Sequence, residues 1–387
     1  MRHFIALICV LVVAWIIVPH LDAYIALRQW IADLQEHTTA TQESSQGAEV
    51  WSDAFPLISG EERKEPQNAE EYYERGVAYY EFGDYKEAIK DFSAAIRLDA
   101  NYTDAYYYRG AAYYKSENYR QAIKDCSQAI GLDANYTKAY YYRGLAYTDL
   151  EEHLRAVEDF NQAIAIEPDY ADAYYVRGLT YYNLGKYFEA TADYNRTIKI
   201  DPNYADAYNN RAIVHRTLGD NAKAIADFSK AIEIAPDDIK AYYNRGLLYI
   251  VLNDYPKAAA DFNKATQIDP NDANPYYNLG FAYQHLKDNA NALESYTQAI
   301  NLNPDHIKAY TNRALIYREL GDADRAIDDL SQSIRLFPID PALYNYRALI
   351  YIDRQDYEQA AKDAQNACQL GDCGILQSMR DKNLTDE

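Results

Sequence analysis

Catalytic and metal chemistry have little to work with in this sequence. Its 387 residues include four cysteines, two methionines and seven histidines, and no cysteine or histidine pair has zinc-ligand spacing. A glycine-rich phosphate loop, a nucleophile elbow and a metal-binding histidine pair are all missing. His285 has neither an acid nor a nucleophile beside it. Enzymatic activity, a cofactor, a bound metal and a small-molecule substrate are therefore not expected. Positive charge is also scarce. With 38 basic against 59 acidic residues and a net charge of −21, the chain is a poor partner for nucleic acid or anionic lipid, and the acidity favours solubility.

Long apolar runs are absent except at the start, where Phe4 to Val18 carries no charge and is followed by Pro19 and His20. Such a run targets a chain to a membrane, as an anchor or as a signal peptide, and its length lies between the two classes. The stretch Leu21-Asp22-Ala23 is a poor cleavage site, which favours an uncleaved anchor over residues 1–22, with a removed signal peptide as the alternative. With Arg2 held inside, either outcome puts the rest of the chain outside the cytoplasm, membrane-anchored or exported. Tyr24, Leu27, Trp30, Ile31 and Leu34 recur at helical spacing, so 23–36 reads as an amphipathic helix. Residues 37–68 are rich in Thr, Ser, Gln, Glu and Gly and read as a flexible linker.

What the chain has in abundance is a repeat. A small residue recurs every thirty-four positions, at Gly76, Gly110, Gly144, Gly178, Ala212, Gly246, Gly280, Ala314 and Ala348. With that residue as position 8, nine units run 69–102, 103–136, 137–170, 171–204, 205–238, 239–272, 273–306, 307–340 and 341–374, and the tail is 375–387. Position 4 is tyrosine in every unit. Position 11 is tyrosine in all but the fifth, which has His215. Position 20 is always alanine, position 24 is mostly Phe, Tyr or Leu, and Pro168, Pro202, Pro236, Pro270, Pro304 and Pro338 stand at position 32.

Positions 4, 8 and 11 share one face of a helix, and positions 20, 24 and 27 share one face of a second. The small residue at 8 is expected to meet the alanine at 20, with aromatics on either side. The prolines end the second helix, lacking an amide donor and forcing the preceding residue out of α geometry. Position 7 is arginine and position 23 aspartate in the same eight units, whereas the seventh has Leu279 and Ser295. Joint loss of both partners predicts an ion pair between the two helices of one unit, and the arginines then read as structural. Cys126 falls at core position 24. Cys368 and Cys373 are close enough in sequence to bridge in an oxidising compartment, with one buried and one exposed thiol as the alternative.

This pattern resembles the tetratricopeptide repeat family from Ala69 to about Gly374. The resemblance implies an all-α, right-handed superhelical solenoid of nine helix-turn-helix hairpins, with the first helices lining the concave side and no activity beyond binding. It also implies that positions 2, 5, 9, 12 and 13 face the groove. Position 5 then supplies a row containing Tyr107, Tyr141, Tyr175, Tyr243 and Tyr277, and position 6 sets Asn210, Asn244, Asn278 and Asn312 in four successive units. A carboxamide both donates and accepts, matching the backbone of an extended peptide whatever its side chains. The row is similar to the asparagine ladder of the O-linked N-acetylglucosamine transferase family; repeat duplication alone would also produce it. The lysine and asparagine clamp of the chaperone-tail binders is missing, since position 9 is apolar throughout.

Groove charges are acidic over the first five units and mildly basic over the last four, where Lys240, Lys308 and Arg318 stand against Glu319 and Asp353. The sequence thus points to a membrane-tethered adaptor that binds an extended peptide segment of a protein partner. The alternative is a structural scaffold assembling through its convex face or its repeat ends. The tail is too short and polar for a full capping helix, although Ile375, Leu376 and Met379 suit a cover for the last hairpin.

Overall fold

Every unit closes into a helical hairpin because its start and stop signals stand at the helix ends. The computed structural model describes residues 65–382 and 384, which hold nineteen helices and no strand. The hairpins are α1 (Ala69–Glu81) with α2 (Tyr85–Leu98), α3 (Thr103–Lys115) with α4 (Tyr119–Leu132), α5 (Thr137–Asp149) with α6 (His153–Ile166), α7 (Ala171–Asn183) with α8 (Tyr187–Ile200), and α9 (Ala205–Thr217) with α10 (Asn221–Ile234). They continue as α11 (Ile239–Val251) with α12 (Tyr255–Ile268), α13 (Ala273–His285) with α14 (Asn289–Leu302), α15 (Ile307–Glu319) with α16 (Ala323–Leu336), and α17 (Pro341–Asp353) with α18 (Tyr357–Gln369), followed by α19 (Gly374–Asp381). The fold class expected from the sequence is the one observed. Two compact units are present, one ending at Ala134 and the other starting at Asn135.

Within each hairpin the first helix ends on a residue at positive φ. This is Gly83, Gly185, Gly219 or Gly321 in four units, but Glu117, Glu151, Asn253, Lys287 or Gln355 in the other five. The amide after it reaches back five residues, as from Asp84 to the Tyr79 carbonyl and from Asp220 to the His215 carbonyl, and satisfies the frayed end of the helix. That next residue then caps the second helix: Asp220, Asp254, Asp288, Asp322 and Asp356 each accept from a backbone amide in the first turn. Before the prolines, Glu167, Asp201 and Asp269 are extended and the helix stops, as residues preceding proline require.

The packing inside a hairpin adds a nearer partner to the expected contact. A Cβ added to Gly144 would lie 2.6 Å from the Phe160 ring, and one on Gly246 would lie 2.9 Å from Phe262. The small residue at position 8 therefore makes room for the side chain at position 24, and at Gly110, where that side chain is Cys126, a Cβ would also lie 3.4 Å from the Ala122 carbonyl at position 20. Phe92, Phe160, Phe228 and Phe262 are fully buried there, and so is Cys126, whose Sγ takes the same place against Gly110. The alanines at position 20 are buried as well and keep the helices close.

The arginine and aspartate pair forms in all eight units. Nε and Nη2 of Arg75, Arg109, Arg143, Arg177, Arg211, Arg245, Arg313 and Arg347 hold both carboxylate oxygens of the aspartate sixteen residues on, at 2.6–2.8 Å. The aspartates are only 3–8% exposed. In at least six units the remaining nitrogen, Nη1, reaches back to Ser93, Asn161, Asn195, Ser229, Thr297 or Ser331 of the preceding unit at 2.5–3.0 Å. The tyrosine at position 4 lies under the guanidinium in seven units, 5.3–6.0 Å away. In the seventh unit Leu279 and Ser295 fill the same space and are buried, and the Asn263 side chain, where Nη1 would land, is exposed.

The membrane-anchored localisation with repeats outside the cytoplasm is corrected here. No helix among the described residues is long and apolar enough to cross a membrane. The longest have 14 residues, a length of about 21 Å against the roughly 30 Å of a hydrocarbon core. The run Phe4 to Val18, the amphipathic helix read over 23–36 and most of the linker lie outside the described residues. At the other end the tail does form a helix, α19, and its Leu376 and Met379 are buried against α18. Cys368 and Cys373 are joined by a disulfide across the turn between α18 and α19.

Two substitutions test this packing. Gly144→Leu drives a side chain into Phe160 and is expected to destabilise by about 1–3 kcal/mol in urea unfolding. Arg245→Leu alone leaves the Asp261 carboxylate buried without its partner and should cost about 3–5 kcal/mol. Adding Asp261→Ser, which copies the seventh unit, should restore most of that loss; equal instability of the single and double variants would mean the pair is not coupled.

Candidate peptide-binding face

First helices of successive hairpins touch one another from α5 to α17, whereas the second helices of successive hairpins do not approach as closely. The first helices therefore form the inner wall of the stack from Asn135 onward. On this wall the structure places the tyrosine row and the asparagine ladder side by side. Asn210 Nδ2 donates to the Tyr175 hydroxyl at 2.8 Å, Asn278 Nδ2 to Tyr243 at 3.1 Å, and Asn312 Nδ2 to Tyr277 at 3.4 Å and to Tyr296 at 3.2 Å. Asn244 Nδ2 donates to Asn209 Oδ1 at 3.3 Å, because the fifth unit has asparagine where its neighbours have tyrosine. Two rows expected to act separately are thus one row of bonds, each joining a unit to the unit before it.

The tyrosine rings are wedged rather than displayed. Tyr175 lies 4.9 Å from Tyr204 and 6.1 Å from Tyr194, and Tyr277 lies 4.7 Å from His306 and 5.8 Å from Tyr296. Tyr141 packs in the same way on Tyr170 and Phe160, Tyr243 packs on Phe262, and Tyr107 is buried. Burial pushes the Tyr175 hydroxyl up to about 12, with the nearby Asp206 charge adding to the shift. Burial also raises Tyr243 and Tyr277, and the asparagine amides pull them partly back. At neutral pH these hydroxyls keep their protons.

What the row leaves open is complementary. Among the described residues no donor reaches the Oδ1 atoms of Asn210, Asn244, Asn278 or Asn312, and none of the four is a buried unpaired atom, so they stay open on this wall. The hydroxyls of Tyr175, Tyr243 and Tyr277 accept from asparagine, and among the described residues no acceptor takes their own hydrogens. Carbonyl acceptor and hydroxyl donor therefore stand together at three junctions, and a backbone amide carries the same two functions.

The groove charges are partly cancelled within the chain. Arg318 Nε bonds Asp353 at 2.6 Å, Lys240 lies 3.7 Å from Asp206, and Asp172 accepts from the Tyr204 hydroxyl at 2.9 Å. The polarity read from the sequence is correspondingly weaker. His285 is exposed, stacks on Tyr255 at 4.4 Å and lies tilted against Phe281 at 4.5 Å. Among the described residues no group of three His, Cys, Asp or Glu could hold a metal ion. Sequence reasoning passed over Asn209, Tyr296 and Asn345; the signal for the first and last was a carboxamide at position 5, where tyrosine is the rule.

The Tyr175 shift gives a pH dependence. Its ordinary value is 10.0 and the folded chain holds the proton to about 12, so its contribution to stability is complete below pH 10 and is lost as pH rises through that window. The urea midpoint of the full chain should fall between these values. In Tyr175→Phe the slope should be shallower, by an integrated amount of about 2–3 kcal/mol; an unchanged slope would assign the alkaline loss to other tyrosines.

Comparison with curated proteins returned no match. Among solved structures, a crystal structure of MamA is 29% identical and covers 43% of this chain and 96% of its own, with a TM-score of 0.40. YrrB, described as a tetratricopeptide protein with an unusual peptide-binding site, is 22% identical over 49% of this chain and 97% of its own, with a TM-score of 0.44. The C-terminal part of a repeat protein from Cytophaga hutchinsonii is 18% identical, covers 61% of this chain and 98% of its own, and has a TM-score of 0.54. That last likeness is one of fold. Profiles described as tetratricopeptide repeat match residues 103–136, 205–238 and 239–272, then 271–338 and 311–372, and a TPR repeat profile matches 78–117, 146–185 and 178–219. With the repeat period, the hairpins and these matches in agreement, the chain belongs to the tetratricopeptide repeat family, whose fold is a scaffold for protein interaction.

Proposed function

We propose that the inner wall of the stack binds an extended segment of a partner protein, reading its backbone through the Asn210, Asn244, Asn278 and Asn312 row. The observation that carries this reading is the pairing of an open carboxamide oxygen with an unused tyrosine hydroxyl hydrogen at successive junctions. A backbone N–H and C=O satisfy both, so affinity depends little on the side chains of the guest. The acidic chain, at −21 overall, favours neutral or basic segments. YrrB carries a peptide-binding site by its description, and the present reading does not depend on that likeness.

A second reading is self-assembly through the outer face. Leu154 and Phe188 occupy the same position on α6 and α8 in successive units and are 66% and 79% exposed, an apolar pair with no cover among the described residues. Concentration-dependent sedimentation lost in a Leu154→Ser, Phe188→Ser variant would support it.

For the first reading, peptides selected by display against the full chain provide the probe. Each ladder Asn→Ala change should weaken their binding by about 0.5–1.5 kcal/mol, whatever the peptide sequence. Circular dichroism checks that the variants stay folded, since the same amides also join the units. Unchanged affinity in the folded fourfold variant would remove the row from the binding site.

A further inference from the structure

At the end of the stack, α19 stands where the first helix of a tenth unit would stand. Position 28 of the second helix, isoleucine in seven units and threonine in one, is Cys368 in the last. In earlier units this residue packs on the next first helix: Ile300 clusters with Ala309 and Ile316 of α15, and Ile334 with Leu343 and Ile350 of α17. Cys368 clusters in the same way with Leu376 and Met379 of α19, beside the buried Ala360 and Ala364 of α18. Leu384 joins that cluster, thirty-four residues on from Ile350. The tail therefore covers the face on which a further hairpin would stack.

Few interactions hold this cover in place. With eight residues, α19 is too short to be a stable helix alone, and it buries only Leu376 and Met379. Among the described residues no hydrogen bond or ion pair runs from α19 to another helix. Asp372, which accepts from Asn345 Nδ2 at 2.7 Å and from the Gly374 amide at 3.1 Å, lies in the turn before it. The one strong link is the disulfide, with Cys368 in the last turn of α18 and Cys373 at the N-cap of α19. That link spans only five positions, and the nine hairpins are complete without it, so its loss falls on α19 and not on the stack. Cys373 is exposed, which leaves the bond within reach of a soluble thiol.

We infer that the Cys368–Cys373 bond is a redox latch that keeps α19 over the end of the stack and releases it when a dithiol reduces the bond. The attacking thiolate bonds to the Cys373 sulfur, the S–S bond breaks, and Cys368 leaves as a thiolate that takes up a proton. The second thiol of the reductant then displaces Cys373, so two electrons and two protons pass to the chain and the reductant ends as a disulfide. Hydrogen exchange of the full chain, read by mass spectrometry on peptides spanning 374–382, tests this before and after excess dithiothreitol. Reduction should speed exchange in α19 by about tenfold or more, leave α15 to α17 unchanged, and be undone by reoxidation. Alkylation should place the freed thiols at Cys368 and Cys373. The Cys373→Ser variant should show the fast rate with or without dithiothreitol, and the natural chain alone carries the comparison if that variant misfolds. A bond that resists dithiothreitol in the folded chain, or unchanged α19 exchange after full reduction, would overturn the latch. Loss of protection throughout α17 and α18 would overturn it too, by making the bond a support of the whole hairpin.

Discussion

The guanidinium at position 7 is the interaction on which the rest of the structure depends. Two of its nitrogens hold a buried aspartate on the second helix of the same hairpin, the third reaches a polar side chain of the preceding hairpin in at least six units, and a tyrosine ring lies beneath its face in seven. One side chain thus sets the angle within a unit and the register between units. Arginine suits this task because its donors form a fixed planar fork that matches a carboxylate and still leaves a nitrogen to spare; lysine offers a point charge without that geometry. A buried ion pair is weak evidence for stability in itself. Here its use is directional, since eight copies impose one geometry on nearly every hairpin.

In the proposed reading, structural and binding roles share the inner wall. The asparagine amides join each unit to the one before through tyrosine hydroxyls and an Asn209 carboxamide, and this same use orients their oxygens outward. A carboxamide free to rotate would present donor and acceptor indifferently, at an entropic cost when a guest binds. Committing the amide to the scaffold fixes the acceptor in advance. Position 5 follows the same logic: the ring is spent on packing and the hydroxyl hydrogen remains.

Much of this was legible in the residues. The thirty-four-residue period gave the hairpins, the proline and alanine positions gave the helix ends and the close faces, and the joint loss at Leu279 and Ser295 gave the ion pair. The nearest partner of position 8, the side chain at position 24, was not legible because a period of 3.6 fixes which residues share a face but not which row of the opposing helix fills the gap. Non-glycine residues at the left-handed turn, such as Glu117 and Lys287, carry no local signal either; the hydrogen bonds of the hairpin impose that conformation on them.

By itself the sequence determined the number of units, the all-helical class and the chemistry available on each face, because periodicity and joint substitution report local geometry directly. Only the tertiary structure decided that tyrosine and asparagine rows belong to one another, that groove charges pair across units, and that Asn345 bonds Asp372 across the last hairpin. Those facts depend on the offset between neighbouring hairpins. That offset is set by side-chain packing distant in sequence, which no single unit encodes.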